Sequence, residues 1–133
     1  MRKYIDDITA TLAKFQYIEE FLRMYIQKVN SRIRKTMKGK IPYKYSEKWV
    51  KKDSLGTLID KFEKNNDNKI LIKRLKSLVP ERNKIAHKGL LITRDQIVNV
   101  SSVKLKKEKL KKIRISAGVA LNRINDEIRK IEK

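Results

Sequence analysis

Apolar residues recur at steps of three and four along most of this chain, the period of amphipathic helices. The first such segment, about Lys3 to Met37, carries Tyr4, Ile5, Ile8, Leu12, Phe15, Ile18, Leu22, Tyr25, Ile26, Val29 and Ile33 at those steps. Tyr17, Phe21 and Met24 widen the stripe beyond what one helix of a small bundle usually buries. The excess fits either a thick core or a second burial surface such as a subunit contact. Lys38-Gly39-Lys40-Ile41-Pro42 then breaks the pattern, because glycine ends helices readily and proline cannot continue one.

A basic, aromatic stretch follows, with Tyr43, Lys44, Tyr45, Lys48, Trp49, Lys51 and Lys52. Rings interleaved with lysines suit stacking on bases while phosphates are neutralised. Exposed tryptophan is uncommon, so the favoured expectation is a loop or short helix that Trp49 and the tyrosines pin to the core. Asp53 or Ser54 caps a short helix from Leu55 to about Lys64, with Leu55, Leu58, Ile59 and Phe62 on one face. Asn65-Asn66-Asp67-Asn68 is a turn.

The next helix carries Ile70, Leu71, Leu75, Leu78 and Val79 up to Pro80, which is expected to kink it or to open a new one. A last turn or two holds Arg82 to His87, and Gly89 is the expected terminator. From Leu90 to Val103 the period blurs. Val98, Val100 and Val103 alternate with polar residues, which predicts an extended loop or a short strand pair. From about Lys104 to Lys133 helix returns, with Leu110, Ile113, Ala117, Leu121, Ile124, Ile128 and Ile131 in register and Gly118 a weak point. The sum is a single all-α domain over residues 1–133, an antiparallel up-and-down bundle of four or five helices.

Composition adds one large fact. The formal charge is +20, and 38% of residues are charged against an average of ~25%. Lysine, isoleucine and asparagine do accumulate together in AT-rich genomes. Even so, such a surface draws polyanions, so nucleic acid or an acidic partner is expected. The absence of cysteine rules out disulfides, thiolate zinc sites and cysteine nucleophiles. No apolar run approaches the ~18 residues of a membrane span. Acids follow Met1 at Asp6 and Asp7 before any apolar core, which argues against a signal peptide. The expectation is a soluble, cytoplasmic protein with no membrane attachment, no metal and no cofactor. The four glycines are isolated, so none forms a phosphate-cradling loop. The pairs Asp6-Asp7 and Glu19-Glu20 read as charge partners of nearby lysines rather than as metal ligands.

The chemistry-bearing stretch is Pro80-Glu81-Arg82-Asn83-Lys84-Ile85-Ala86-His87-Lys88-Gly89. His87 is the chain's one histidine and the one side chain whose ordinary titration falls near neutral pH. On a helix, Asn83 and His87 share a face, one above the other, while Arg82 lies on the flank within reach of the same space. Lys84 and Lys88 lie nearby as candidate substrate-binding cations. An imidazole can take a proton from a ribose 2′-hydroxyl, and a guanidinium can stabilise charge building on the phosphate. The plainer alternative is a histidine near a helix C-terminus, where the dipole favours it without further role.

The run Arg82-Asn83-Lys84-Ile85-Ala86-His87 resembles the Arg-x(4–6)-His motif of the HEPN superfamily, including the polar residue after the arginine. Ser54 to Phe62 is similar to the helix that often precedes the motif in that family. The resemblance implies a HEPN-like helical bundle that dimerises and brings two copies of the motif into one cleft. A dimer then supplies two histidines, as acid–base cleavage wants. It further implies a metal-independent endoribonuclease of toxin–antitoxin, phage-defence or RNA-processing systems. Arg82 and His87 would be catalytic, Asn83 the supporting polar residue, RNA the substrate, and an antitoxin or defence complex a possible partner. Gly89 stands where the branch paired with nucleotidyltransferase antitoxins has tyrosine, which sets this chain apart from that branch. Some HEPN domains bind nucleotides or partners without catalysis. The alternative is accordingly a non-catalytic basic helical module that binds nucleic acid or a partner protein.

Overall fold

The computed structural model describes residues 2–95 and 100–132, without the side chains of residues 2, 4 and 88–106. It holds five helices: α1 (Arg2–Met37), α2 (Lys48–Lys51), α3 (Leu55–Glu63), α4 (Lys69–Asp95) and α5 (Val100–Glu132). The all-α bundle expected from the apolar spacing is present. Among the described residues no helix is long and apolar enough to cross a membrane.

Helix α1 is the spine. Phe15, Ile18, Leu22 and Ile26 are buried along one side of it, and α3, α4 and α5 all pack there. Ion pairs fix the directions. Asp7 meets Arg114 at 3.6 Å and Lys28 meets Glu132 at 2.9 Å, so α1 and α5 run the same way. Glu81 of α4 meets Lys109 of α5, and Asn68 just before α4 meets Glu127 near the end of α5. Consecutive long helices therefore alternate in direction, which leaves the first and last parallel.

The ends of the elements are fixed by local chemistry. Gly39 takes φ +82°, and the amides of Lys40 and Ile41 both bond the Met37 carbonyl, which closes α1. The Ser54 hydroxyl accepts from the Thr57 amide and caps α3. Asp53, the other candidate cap, instead pairs with Lys61 at 2.5 Å. The Asn68 side chain accepts from the Leu71 amide at 3.1 Å and starts α4.

Two expectations are corrected and one is narrowed. Of the two alternatives for Pro80, it does not open a new helix; it lies inside a continuous element. Pro80 and Lys76 are both exposed, so the carbonyl that loses its usual helical donor lies on the water side of α4. The helix also passes through Gly89 to Asp95, because Leu90 to Thr93 contain no turn residue and one internal glycine costs only about 1 kcal/mol. Of the predicted extended stretch, Leu90 to Asp95 are helical and Val100 and Val103 belong to α5, while Val98 lies outside the described residues. A spacing of three serves a helix as well as a frayed strand.

The turn before α4 is tied to α5 by a polar cluster. Tyr25 donates to the Asn65 carbonyl at 2.8 Å, and Asn66 donates to the Tyr25 oxygen at 3.0 Å. Glu127, buried, accepts from Asn68 and pairs with Lys130 at 2.9 Å. Burial pushes the Glu127 carboxyl upward, but Lys130 and the amides of Asn68 and Asn66 outweigh it and hold the group below its usual value. Glu127 therefore stabilises the fold above its ordinary pKa of 4.5, and the contribution is lost as pH falls through the lowered folded-state value. Glu127→Gln should flatten the acid limb of a stability–pH curve below about that pH, measured by urea unfolding. Helix α5 runs through Gly118, where an added Cβ would meet nothing within 4 Å. Gly118→Ala should raise stability by about 0.5–1 kcal/mol in the same measurement.

Candidate functional site

On α4 the buried residues determine what faces out. Leu78 and Ile85 are buried at 4% and 6% exposure and mark the inner face. At about 100° per residue, Asn83 and His87 then fall on the opposite side, and both are exposed. Lys84 is exposed too. Lys88 has a helical backbone, and its side chain lies outside the described residues. The flanks are used differently. Glu81 turns toward α5 and Lys109, while Arg82 turns toward α1, where its guanidinium lies 4.0 Å from a Glu19 carboxylate oxygen.

Arg82 also donates to the Asn83 amide oxygen at 3.4 Å, a long bond that draws the guanidinium toward the outer face. The site is thus an imidazole and an amide on the open face, with a cation at its edge. Arg82 is itself about two-fifths exposed, and its ion pair is at the limit of contact, so the tether is weak.

Glu19 is a residue that sequence reasoning did not assign to this site. Its partners are arginines rather than the lysines expected. One carboxylate oxygen faces Arg82 and the other lies 3.7 Å from Arg23. Arg23 in turn reaches away from α1 to the segment around α2. Its Nε donates to the Val50 carbonyl and its Nη2 to the Asp53 carbonyl, each at 3.0 Å, while Nη1 binds Glu20 at 2.6 Å. The chain Arg82–Glu19–Arg23–Val50 connects the motif helix with the basic, aromatic stretch. Nothing in the spacing of the two segments signals that contact; it needs the tertiary fold.

The stretch around α2 corrects the expectation for tryptophan. Trp49 is 58% exposed, whereas Val50 is fully buried. On a single helical turn adjacent residues point ~100° apart, so the one that faces the core turns its neighbour aside. Val50 is that residue, with Tyr45 half-buried beside it. The Tyr45 hydroxyl is buried without a hydrogen-bond partner among the described residues, and burial raises its pKa. The Tyr45 and Trp49 rings meet edge-on, centroids 5.4 Å apart.

Arg23→Ala should release the segment from Val50 to Asp53 by removing two charge-assisted bonds, at a cost of about 1.5–3 kcal/mol. A lower fluorescence anisotropy of Trp49 and faster proteolysis between residues 44 and 53 are the expected readouts. Comparison with protein-family models, with curated proteins and with solved structures finds no match to this chain, so its own residues carry the functional interpretation.

Proposed function

We propose that the protein is a metal-independent endoribonuclease of HEPN type that works as a homodimer, with an active site composed from two copies of the Arg82–His87 motif. The observation that carries this is the placement of Asn83 and His87 on the open face of α4, with Arg82 drawn to its edge. An imidazole that belonged to the core would lie on the side of Leu78 and Ile85; this one is exposed on the opposite side.

In the proposed reaction one His87 takes the proton of a ribose 2′-hydroxyl, whose oxygen attacks the neighbouring phosphorus. The 5′-oxygen leaves with a proton supplied by the second His87, and a 2′,3′-cyclic phosphate remains. The Arg82 guanidinium, freed from Glu19, neutralises charge on the phosphate oxygens. Asn83 orients the scissile group, and Lys84 and Lys88 hold flanking phosphates. The net charge of +20 favours capture of the polyanion. A toxin–antitoxin, phage-defence or RNA-processing setting suits such an enzyme, and the exposed Tyr17 and Met24 of α1 offer apolar area to an antitoxin or complex partner.

A second function is favoured by the exposed Trp49 among lysines: a basic helical module that binds nucleic acid or a partner without cleaving it. The two differ in what mutation does. Incubated with RNA in chelator, the wild type should generate cyclic-phosphate ends, and His87→Ala or Arg82→Ala should slow this by about 100-fold or more. Equal cleavage by all three proteins, or none by any, would contradict the catalytic assignment. Binding that weakens steeply with salt and survives both substitutions, with no cleavage, would establish the module instead.

A further inference from the structure

We propose that Trp49 is a stacking platform for single-stranded RNA, placed so that a strand held there passes to the Arg82–His87 face. It rests on the proposed ribonuclease function for the identity of the nucleic acid, and on its own geometry for the stacking.

The platform is exposed yet held. Lys61 donates to the Trp49 carbonyl at 2.9 Å, and Arg23 binds the carbonyls of Val50 and Asp53. Val50 anchors the turn in the core from the adjacent position. The indole is therefore fixed at its base while more than half of its surface faces water. The edge-on contact with Tyr45 covers at most one face of a flat ring, which leaves the other open to a base.

The surroundings select the occupant. Lys44, Lys48, Lys51 and Lys52 are all exposed around it, against Glu47 as the one acid from residue 44 to residue 52. Asp53 is occupied by Lys61, and Glu20 by Arg23. A protein-binding core is depleted in lysine and needs a contiguous apolar area, whereas this is one aromatic ring inside a basic collar. A ring that stacks on any base, within a surface that neutralises phosphates, is the pattern of single-strand binding.

Position connects it to the motif. Arg23, which holds the platform, and Glu19, which holds Arg82, lie one turn apart on α1, a rise of about 6 Å. Arg82 and the turn that carries Trp49 are thereby joined through Glu19 and Arg23 on one side of α1, the path along which a bound strand would pass between them.

Trp49 is the only tryptophan in the chain, so its emission reports the site directly. The probe is a short 2′-O-methyl oligouridylate, which cannot be cleaved because its 2′ oxygen is capped. Quenching on titration is expected in the wild type; read for every variant by the anisotropy of a fluorescein-labelled copy of the same oligonucleotide, binding should weaken about 5- to 150-fold in Trp49→Ala and be largely kept in Trp49→Phe. The salt slope should be unchanged in Trp49→Ala, since an indole neutralises no phosphate, and shallower in Lys48→Ala. With cleavable RNA, Trp49→Ala should raise KM and leave kcat near wild type. Wild-type affinity in Trp49→Ala, or no quenching, would overturn the platform. Quenching by polyglutamate in place of the oligonucleotide would also overturn it and assign the surface to an acidic protein. Quenching without cleavage of any RNA would leave the platform standing and remove the ribonuclease. Cleavage with an unaltered KM in Trp49→Ala would do the reverse.

Discussion

Burial of one side of α1 is the constraint from which the rest of the molecule follows. Phe15, Ile18, Leu22 and Ile26 need cover along about three turns, and α3, α4 and α5 supply it together. Once those contacts form, the polar residues beside the buried stripe have fixed neighbours. Glu19 faces α4 and Arg23 faces the α2 segment because Ile18 and Leu22, next to them in sequence, are committed to the core. The same logic acts on each smaller element: Ile85 inward sets His87 outward, and Val50 inward sets Trp49 outward. Chemistry in this protein is the outer side of its packing.

The helices were largely legible in the sequence because their signals are local. A period of 3.6, an asparagine turn and a serine cap specify α1, α3 and the start of α4 without reference to anything distant. Failures came where one residue has two possible outcomes. Gly89 is a breaker only when the backbone has somewhere better to go, and Leu90 to Thr93 continue the helix instead. Val100 and Val103 fit a strand or a helix equally until α5 claims them.

The candidate site divides in the same way. Asn83 and His87 on one exposed face follow from helical spacing and from the inward position of Ile85, so that part was readable. The Arg82–Glu19 pair and the Arg23 link to Val50 cross between distant segments and left no pattern to read. The size of Trp49 argues for burial, whereas the inward position of Val50, which sets the indole outward, exists only once the turn around it is formed. What this adds to the motif is a second surface, joined to it through two residues of α1.

The composite site stands or falls on whether two copies of α4 face each other. The chain has no cysteine, so His87→Cys introduces a unique thiol. A short bismaleimide should convert most of this variant to a covalent dimer, because two histidines that flank one phosphate bring their Cα atoms within its span, though not within the shorter reach of a disulfide. An Ile70→Cys control, at an exposed position on the first turn of the same helix, should remain uncrosslinked. A His87→Cys protein that stays monomeric under the same treatment, with its thiol still reactive, would contradict the dimeric active site.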